Sequence, residues 1–322
     1  MANKILFYRQ ICTTIIIGIL CAGIKTLYSK ENKKNEKGKK IMKISKVVIP
    51  AAGLGTRCLP LSKAFPKELL PLVDKPAIQY IIEEGIDADI SEFCIVANED
   101  KKAIRDYFSP NKKLDAFLKE KNLSYLMQSV DKIINTTKFS YVPQPEPRGL
   151  GHAILMAREI IGNEYFGVFL PDEIMVSTIP VMAQLIQVAQ QYNATVVGVL
   201  EVPKEQVSSY GIVGIKQKLD ESIYEVAELI EKPTAKQAPS NLAIIGRYIL
   251  SPTIFDTLAK TKPGTKGEIQ LTDAIAQLLK QGERVLAYKI KADRFDIGNI
   301  PGWLQANYYF TKNNPAYASY LK

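Results

Sequence analysis

A short apolar run, Lys46-Val47-Val48-Ile49-Pro50, opens directly into Ala51-Ala52-Gly53-Leu54-Gly55-Thr56-Arg57. An apolar run ending at a glycine-rich turn reads as a buried strand feeding a loop. Glycines let the backbone come close to a phosphate, and the unpaired N–H groups of such a loop can cradle phosphate oxygens. Ala51, Ala52, Gly53, Gly55 and Thr56 are therefore candidate nucleotide-binding positions, and Arg57 adds a permanently charged fork suited to phosphate. Two other nucleotide loops fit less well. Gly53 and Gly55 match the first two positions of a G-x-G-x-x-G dinucleotide loop, but position 58 is cysteine, so the glycine needed for close helix packing is missing. No G-x-x-x-x-G-K-[ST] loop occurs either. Taken alone, the segment also fits an ordinary strand-to-helix turn.

The elements that follow define the class. Residues 77–85 have helical spacing with Gly85 as a stop, and Phe93-Cys94-Ile95-Val96-Ala97 is the next strand. Strand, helix, strand predicts a βαβ unit on a parallel sheet. Residues 112–132 are charged and helical in character, an expected insertion over the site. Further strands are expected at 139–142, 165–170 and 195–200, with helices at 152–161 and 179–192 between them. Strands at 212–216, 223–230, 242–250 and 285–290, with a helix at 270–280, give the later part a mixed, partly antiparallel character. The expected fold is α/β: a Rossmann-like mixed sheet flanked by helices, completed by a mixed, partly antiparallel part. No internal repeat of 20–50 residues is present.

Three other segments carry chemistry. Gln144-Pro145-Glu146-Pro147-Arg148-Gly149-Leu150-Gly151-His152-Ala153 is a loop running into a helix. Its Gln144 can read a pyrimidine edge, because a side-chain amide both donates and accepts; a rigid turn with a helix cap is the other reading. His152, the only histidine, reads as packing or capping at the helix start. Leu170-Pro171-Asp172 ends an apolar strand, where a carboxylate faces the ligand crevice of an open α/β sheet. Mg²⁺ commonly binds one or two carboxylates plus substrate phosphates, so Asp172 is a candidate ligand. Glu231-Lys232-Pro233 follows a strand; Glu231 can accept two sugar hydroxyls and Lys232 can supply a point charge to a phosphate, although such pairs are commonplace on surfaces.

After the glycine loop come Lys63, Pro66-Lys67-Glu68-Leu69-Leu70-Pro71-Leu72 and Asp74-Lys75-Pro76. Together these resemble the signature of nucleotidylyltransferases that activate sugar phosphates. The resemblance runs from about residue 45 to residue 312. Arg148–Ala153, Glu231-Lys232-Pro233, Pro239-Ser240-Asn241-Leu242, Gly246-Arg247-Tyr248 and Gly267-Glu268-Ile269-Gln270-Leu271-Thr272-Asp273 point to its uridylyl-transferring branch rather than the thymidylyl one. The resemblance implies that Arg57, Lys67 and Lys232 are catalytic, with Arg57 and Lys67 on the triphosphate and Lys232 on the sugar phosphate. It gives Gln144 and Gly149 the base, Gly211, Glu231 and Asn241 the sugar, and Asp296 a second place beside Asp172 on Mg²⁺. It further implies UTP and glucose 1-phosphate as substrates, UDP-glucose and pyrophosphate as products, and a homo-oligomer; a cytoplasmic setting is expected instead from the cysteines, whose spacing offers no disulfide framework. Cys58 stands where the family often has methionine.

The net charge of +9 does not indicate a nucleic-acid partner. Residues 1–41 carry nine basic and two acidic side chains, so only +2 remains on residues 42–322. Residues 11–24 are mostly apolar but shorter than the roughly 20 residues a spanning helix needs, and a lysine-rich stretch follows them. Residues 1–41 read as a membrane anchor, a targeting peptide or sequence before the true start at Met42, and residues 42–322 as one nucleotidylyltransferase domain. The four cysteines form no CxxC pair, which argues against a zinc site or a disulfide framework. A relative acting on another base or sugar, such as dTTP, is the alternative within this class. Three competing classes remain: a nicotinamide-dependent oxidoreductase, a non-catalytic nucleotide-sugar-binding regulator, and a membrane-tethered interaction protein that rests only on residues 1–41.

Overall fold

The computed structural model describes residues 42–264 and 267–321; the expectations for residues 1–41 lie outside these. The strands are β1 (Lys46–Pro50), β2 (Pro71–Leu72), β3 (Lys75–Pro76), β4 (Glu92–Ala97), β5 (Lys138–Pro143), β6 (Phe166–Phe169), β7 (Glu173–Val176), β8 (Thr195–Glu201), β9 (Gly211–Lys218), β10 (Ile223–Glu231), β11 (Leu242–Leu250), β12 (Val285–Lys289) and β13 (Asp293–Asp296). The helices are α1 (Ala77–Asp87), α2 (Lys102–Tyr107), α3 (Lys112–Glu120), α4 (Gln128–Thr136), α5 (Leu150–Met156), α6 (Arg158–Ile161), α7 (Val181–Tyr192), α8 (Ile254–Lys260), α9 (Leu271–Lys280) and α10 (Ile300–Asn313).

Nine strands share one sheet in the order β5-β4-β1-β6-β11-β8-β12-β10-β9. The first four run parallel, and β11 then turns antiparallel to both β6 and β8. The expected α/β fold with a mixed sheet is present, and the later strands extend the same sheet. In β1, Val47 and Ile49 face one core with Ile78, Ile81, Ile82 and Phe93, while Val48 faces the other with Cys94, Ile154 and Val168. That alternation follows from the two-residue period of a strand. It is masked in the sequence because both faces are covered and β1 reads as a continuous apolar run. All nine residues of β11 are buried, as suits a strand near the middle of the sheet.

Strand order reverses at β1, which lies between β4 and β6. This is the switch point of an open α/β sheet, and ligands bind in the crevice beyond the carboxyl ends of the strands there. The glycine loop leaves β1 at that place. A small antiparallel ribbon, β7 with β13, stands apart from the main sheet and pairs Glu173 with Asp296.

One local expectation changes. Gly85 does not stop α1, which continues to Asp87; it sits where the helix meets β4, and a Cβ there would lie 2.7 Å from the Phe93 ring. The segment over 112–132 is helical as expected over most of its length, and the Ser129 hydroxyl accepts from the Gln79 amide on α1 at 3.4 Å.

Candidate active site

The Ala51 N–H donates to the Val96 carbonyl at 2.7 Å, so the sheet pairing carries one residue past β1. The loop then turns through Gly55, which is left-handed, into a single helical turn over Thr56–Cys58 that presents Arg57. A second short turn, Lys67–Leu69, presents Lys67. Its ammonium donates to Asp172 Oδ2 at 2.6 Å. The Arg57 guanidinium lies between two carboxylates, 3.7 Å from Asp172 and 3.8 Å from Asp296.

Asp172 and Asp296 are 124 positions apart in sequence, and the β7–β13 ribbon brings them together. The Ile297 N–H donates to the Asp172 carbonyl at 2.9 Å, and the Gly298 N–H donates to Asp296 Oδ1 at 2.9 Å. Gly298 also keeps the centre open. A Cβ there would lie 2.6 Å from Arg57 Nη2, 2.7 Å from Asp172 Oδ2 and 3.0 Å from Asp296 Oδ1.

Burial alone would push Asp172 up, but the Lys67 and Arg57 cations outweigh it and hold its carboxyl below the usual range. Burial likewise pulls Lys67 down, yet Asp172 and Glu68 keep its ammonium above its ordinary value. Both groups are therefore ionised at neutral pH. Next to Asp172, burial pushes Glu173 up to about 7 against the opposing Arg294 fork.

A second group forms at the start of β9 and the end of β10. Glu231 pairs with Gly211 across the strands, and its Oε2 accepts from the Thr272 hydroxyl at 2.8 Å. Lys232 has φ of 47°, sends its N–H to the Tyr210 carbonyl and places its ammonium 3.2 Å from Glu231 Oε1. Arg294 joins the two groups. It makes a two-pronged pair with Glu173, both contacts at 2.6 Å, and reaches the Tyr210 hydroxyl at 3.2 Å. Arg57, Lys67, Asp172 and Asp296 thus converge directly, while Lys232, Glu231 and Gly211 stand in a neighbouring group tied to them through Arg294. Asn241 is exposed just before β11, and its carbonyl accepts from Val202.

The loop before α5 forms the third part. Gln144 is buried, and its amide nitrogen donates to His152 Nδ1 at 2.8 Å and to the Gly149 carbonyl at 3.4 Å. Burial and the nearby Arg148 hold His152 below its ordinary pKa, so its ring is neutral and can accept that bond. The histidine packs at the helix start and orients the glutamine. Gly149 has φ of 99°, and a Cβ there would lie 2.8 Å from Glu268 and 2.9 Å from the Ile269 carbonyl. Reciprocal bonds, Gly151 N–H to Ile269 O and Ile269 N–H to Arg148 O, clamp the loop to that segment. Residues 268–272 therefore support both the Gln144 loop and Glu231.

Arg294 gave no local sign of a role, and Thr272 stood only inside a segment that carries the family resemblance. Arg294 is a charged residue in a four-residue strand, and the partner of Thr272 lies 41 positions away. Glu68 and Lys101 likewise gave none. They lie beneath the glycine loop, bonded to each other at 2.9 Å.

A glycine loop at a sheet switch point, faced by cations and paired carboxylates, defines an enzyme class that handles phosphorylated nucleotides. Residues 46–313 match the nucleotidyl transferase family, and the chain belongs to it. It is 48% identical over 263 residues to UTP–glucose-1-phosphate uridylyltransferase 2 of Staphylococcus saprophyticus, covering 82% of this chain and 90% of the relative. It is 43% identical over 280 residues to the Staphylococcus epidermidis uridylyltransferase, covering 87% and 96%. In structure it resembles a UDP-glucose pyrophosphorylase complexed with UDP-glucose (TM-score 0.78, 41% identity, 84% of this chain and 100% of the other). It also resembles a UTP-bound enzyme from Acinetobacter baumannii (TM-score 0.79, 35% identity, 86% and 97%).

Proposed function

We propose that this chain transfers the uridylyl group of UTP to glucose 1-phosphate, giving UDP-glucose and pyrophosphate. The observation that carries this reading is the convergence of Lys67 and Arg57 on Asp172 and Asp296 beside the glycine loop. The curated relatives named for that reaction support the choice of base and sugar.

A phosphate oxygen of the sugar phosphate attacks the α-phosphorus of UTP in line, and pyrophosphate leaves. A phosphate dianion is already a nucleophile, so no general base is required. The chain's task is to hold two anions together and offset their repulsion. Ala51, Ala52, Gly53, Gly55 and Thr56 line the nucleotide, with Arg57 and Lys67 on its phosphates. Gln144 and Gly149 hold the base edge. Glu231, Gly211 and Asn241 hold the sugar, and Lys232 its phosphate.

Two carboxylates a few ångströms either side of Arg57 are a donor set that suits Mg²⁺, which keeps several waters and substrate oxygens of its own. Asp172 and Asp296 would hold it. When bound, it neutralises the charge that builds on the phosphate oxygens.

The test is pyrophosphate release with UTP, dTTP and CTP against several hexose 1-phosphates. UTP with glucose 1-phosphate should exceed every other pair by about tenfold or more, since a site built to hydrogen-bond one partner discriminates strongly. Preference for dTTP, or no release with any pair, would overturn the assignment. Among the described residues no helix is long and apolar enough to cross a membrane.

A further inference from the structure

Lys101 lies outside every motif considered above, in a charged run, Glu99-Asp100-Lys101, of the kind that usually faces solvent. Its side chain is instead 9% exposed. The ammonium donates to the Ala51 carbonyl at 2.6 Å, to the Gly53 carbonyl at 2.8 Å and to both Glu68 oxygens at 3.0 and 2.9 Å. An ammonium has three N–H donors, so two backbone carbonyls and one carboxylate account for all of them.

In a trans peptide the C=O and the following N–H point in opposite directions. Drawing the Ala51 and Gly53 carbonyls onto one buried cation therefore turns the N–H groups of Ala52 and Leu54 the other way. A glycine loop left alone does not hold one such arrangement, because glycine populates many backbone conformations. Glu68 completes the device. It is fully buried and follows Lys67 in the same short turn, so one turn sends Lys67 to Asp172 and Glu68 to Lys101.

We infer that Lys101, held by Glu68, is a positioning residue for the nucleotide: it fixes the peptide planes of the glycine loop so that the Ala52 and Leu54 N–H groups face the triphosphate. The inference rests on the uridylyltransferase reading. The parent chain's own pyrophosphate release with UTP and glucose 1-phosphate checks that reading separately.

The experiment uses the full chain. Lys101→Met should raise both the KM and the calorimetric Kd for UTP by about tenfold or more, the scale expected when a charge-assisted anchor is lost. The KM for glucose 1-phosphate should stay within about twofold, because Glu231 and Lys232 do not touch this device. Lys101→Met also strands a buried carboxylate and can weaken the fold, so Glu68→Leu/Lys101→Met is the second arm. With both charges gone the double variant should regain thermal stability over the single one. It should still bind UTP poorly, since the two carbonyls remain unclamped. The inference is overturned if UTP binding is unchanged in Lys101→Met, or if both substrates weaken equally. It is also overturned if the double variant recovers UTP affinity together with stability, or fails to fold at all; either result leaves the pair a structural role only.

Discussion

Asp172→Asn lowers kcat by about a hundredfold or more while the fold survives. The carboxylate accepts from Lys67 at 2.6 Å and lies 3.7 Å from Arg57, and these cations keep it ionised despite its burial. An amide of the same shape keeps the packing but removes the charge. Lys67 then loses its counter-charge, and the proposed metal loses one of two protein ligands. Removing one preorganised electrostatic contributor from a transition state of this kind costs on the order of 3 kcal/mol of barrier. Steady-state pyrophosphate release measures the loss, and circular dichroism melting checks the fold. Parent-like turnover would remove Asp172 from the reaction.

The largest expected effect on stability belongs to Arg247→Met. Arg247 is completely buried in β11 and pairs with Glu84 on α1 at 2.6 Å. It also donates to the Glu173 carbonyl at 2.8 Å and the Gly246 carbonyl at 3.1 Å, and stacks 4.6 Å from the Phe169 ring centre. Methionine fills much of the volume but leaves the Glu84 carboxylate without its cation. Removing one partner of a buried pair costs about 3–5 kcal/mol, as much as exposing two large core side chains. For a domain of this size that lowers the thermal midpoint by roughly 10 °C. Scanning calorimetry reads it directly, and a shift of only a degree or two would show the pair to be dispensable. Turnover should fall as well, because Arg247 holds the backbone on the far side of Asp172.

What could be read from the sequence follows from how local each feature is. β1, β4 and β11 are continuous apolar runs because both faces of the sheet are covered, and such runs need no partner to be recognised. The glycine loop and Asp172 stood out for the same reason: each sits in a short segment whose chemistry is self-contained, whereas Lys67 was marked only through the family resemblance. The β7–β13 ribbon was not, since four-residue strands carrying Asp293 and Arg294 show no apolar pattern. α10 contains Pro301, Gly302 and several polar residues, which hide its helical period. Arg247 and Glu84 are 163 positions apart, and Lys101 is 48 positions from the Gly53 carbonyl that it holds. No local spacing reports such pairs. Glu68 lay within a recognised motif, yet only burial separates it from a surface glutamate.

In the proposed reaction Asp172 and Asp296 would together hold one divalent metal facing the nucleotide phosphates. The most direct measurement is an anomalous-scattering map from crystals of the chain soaked with Mn²⁺ and UTP. The expected result is a single strong peak within coordination distance of both carboxylates and of a phosphate oxygen. A peak elsewhere in the cleft, or UTP bound with no metal against either aspartate, would contradict it.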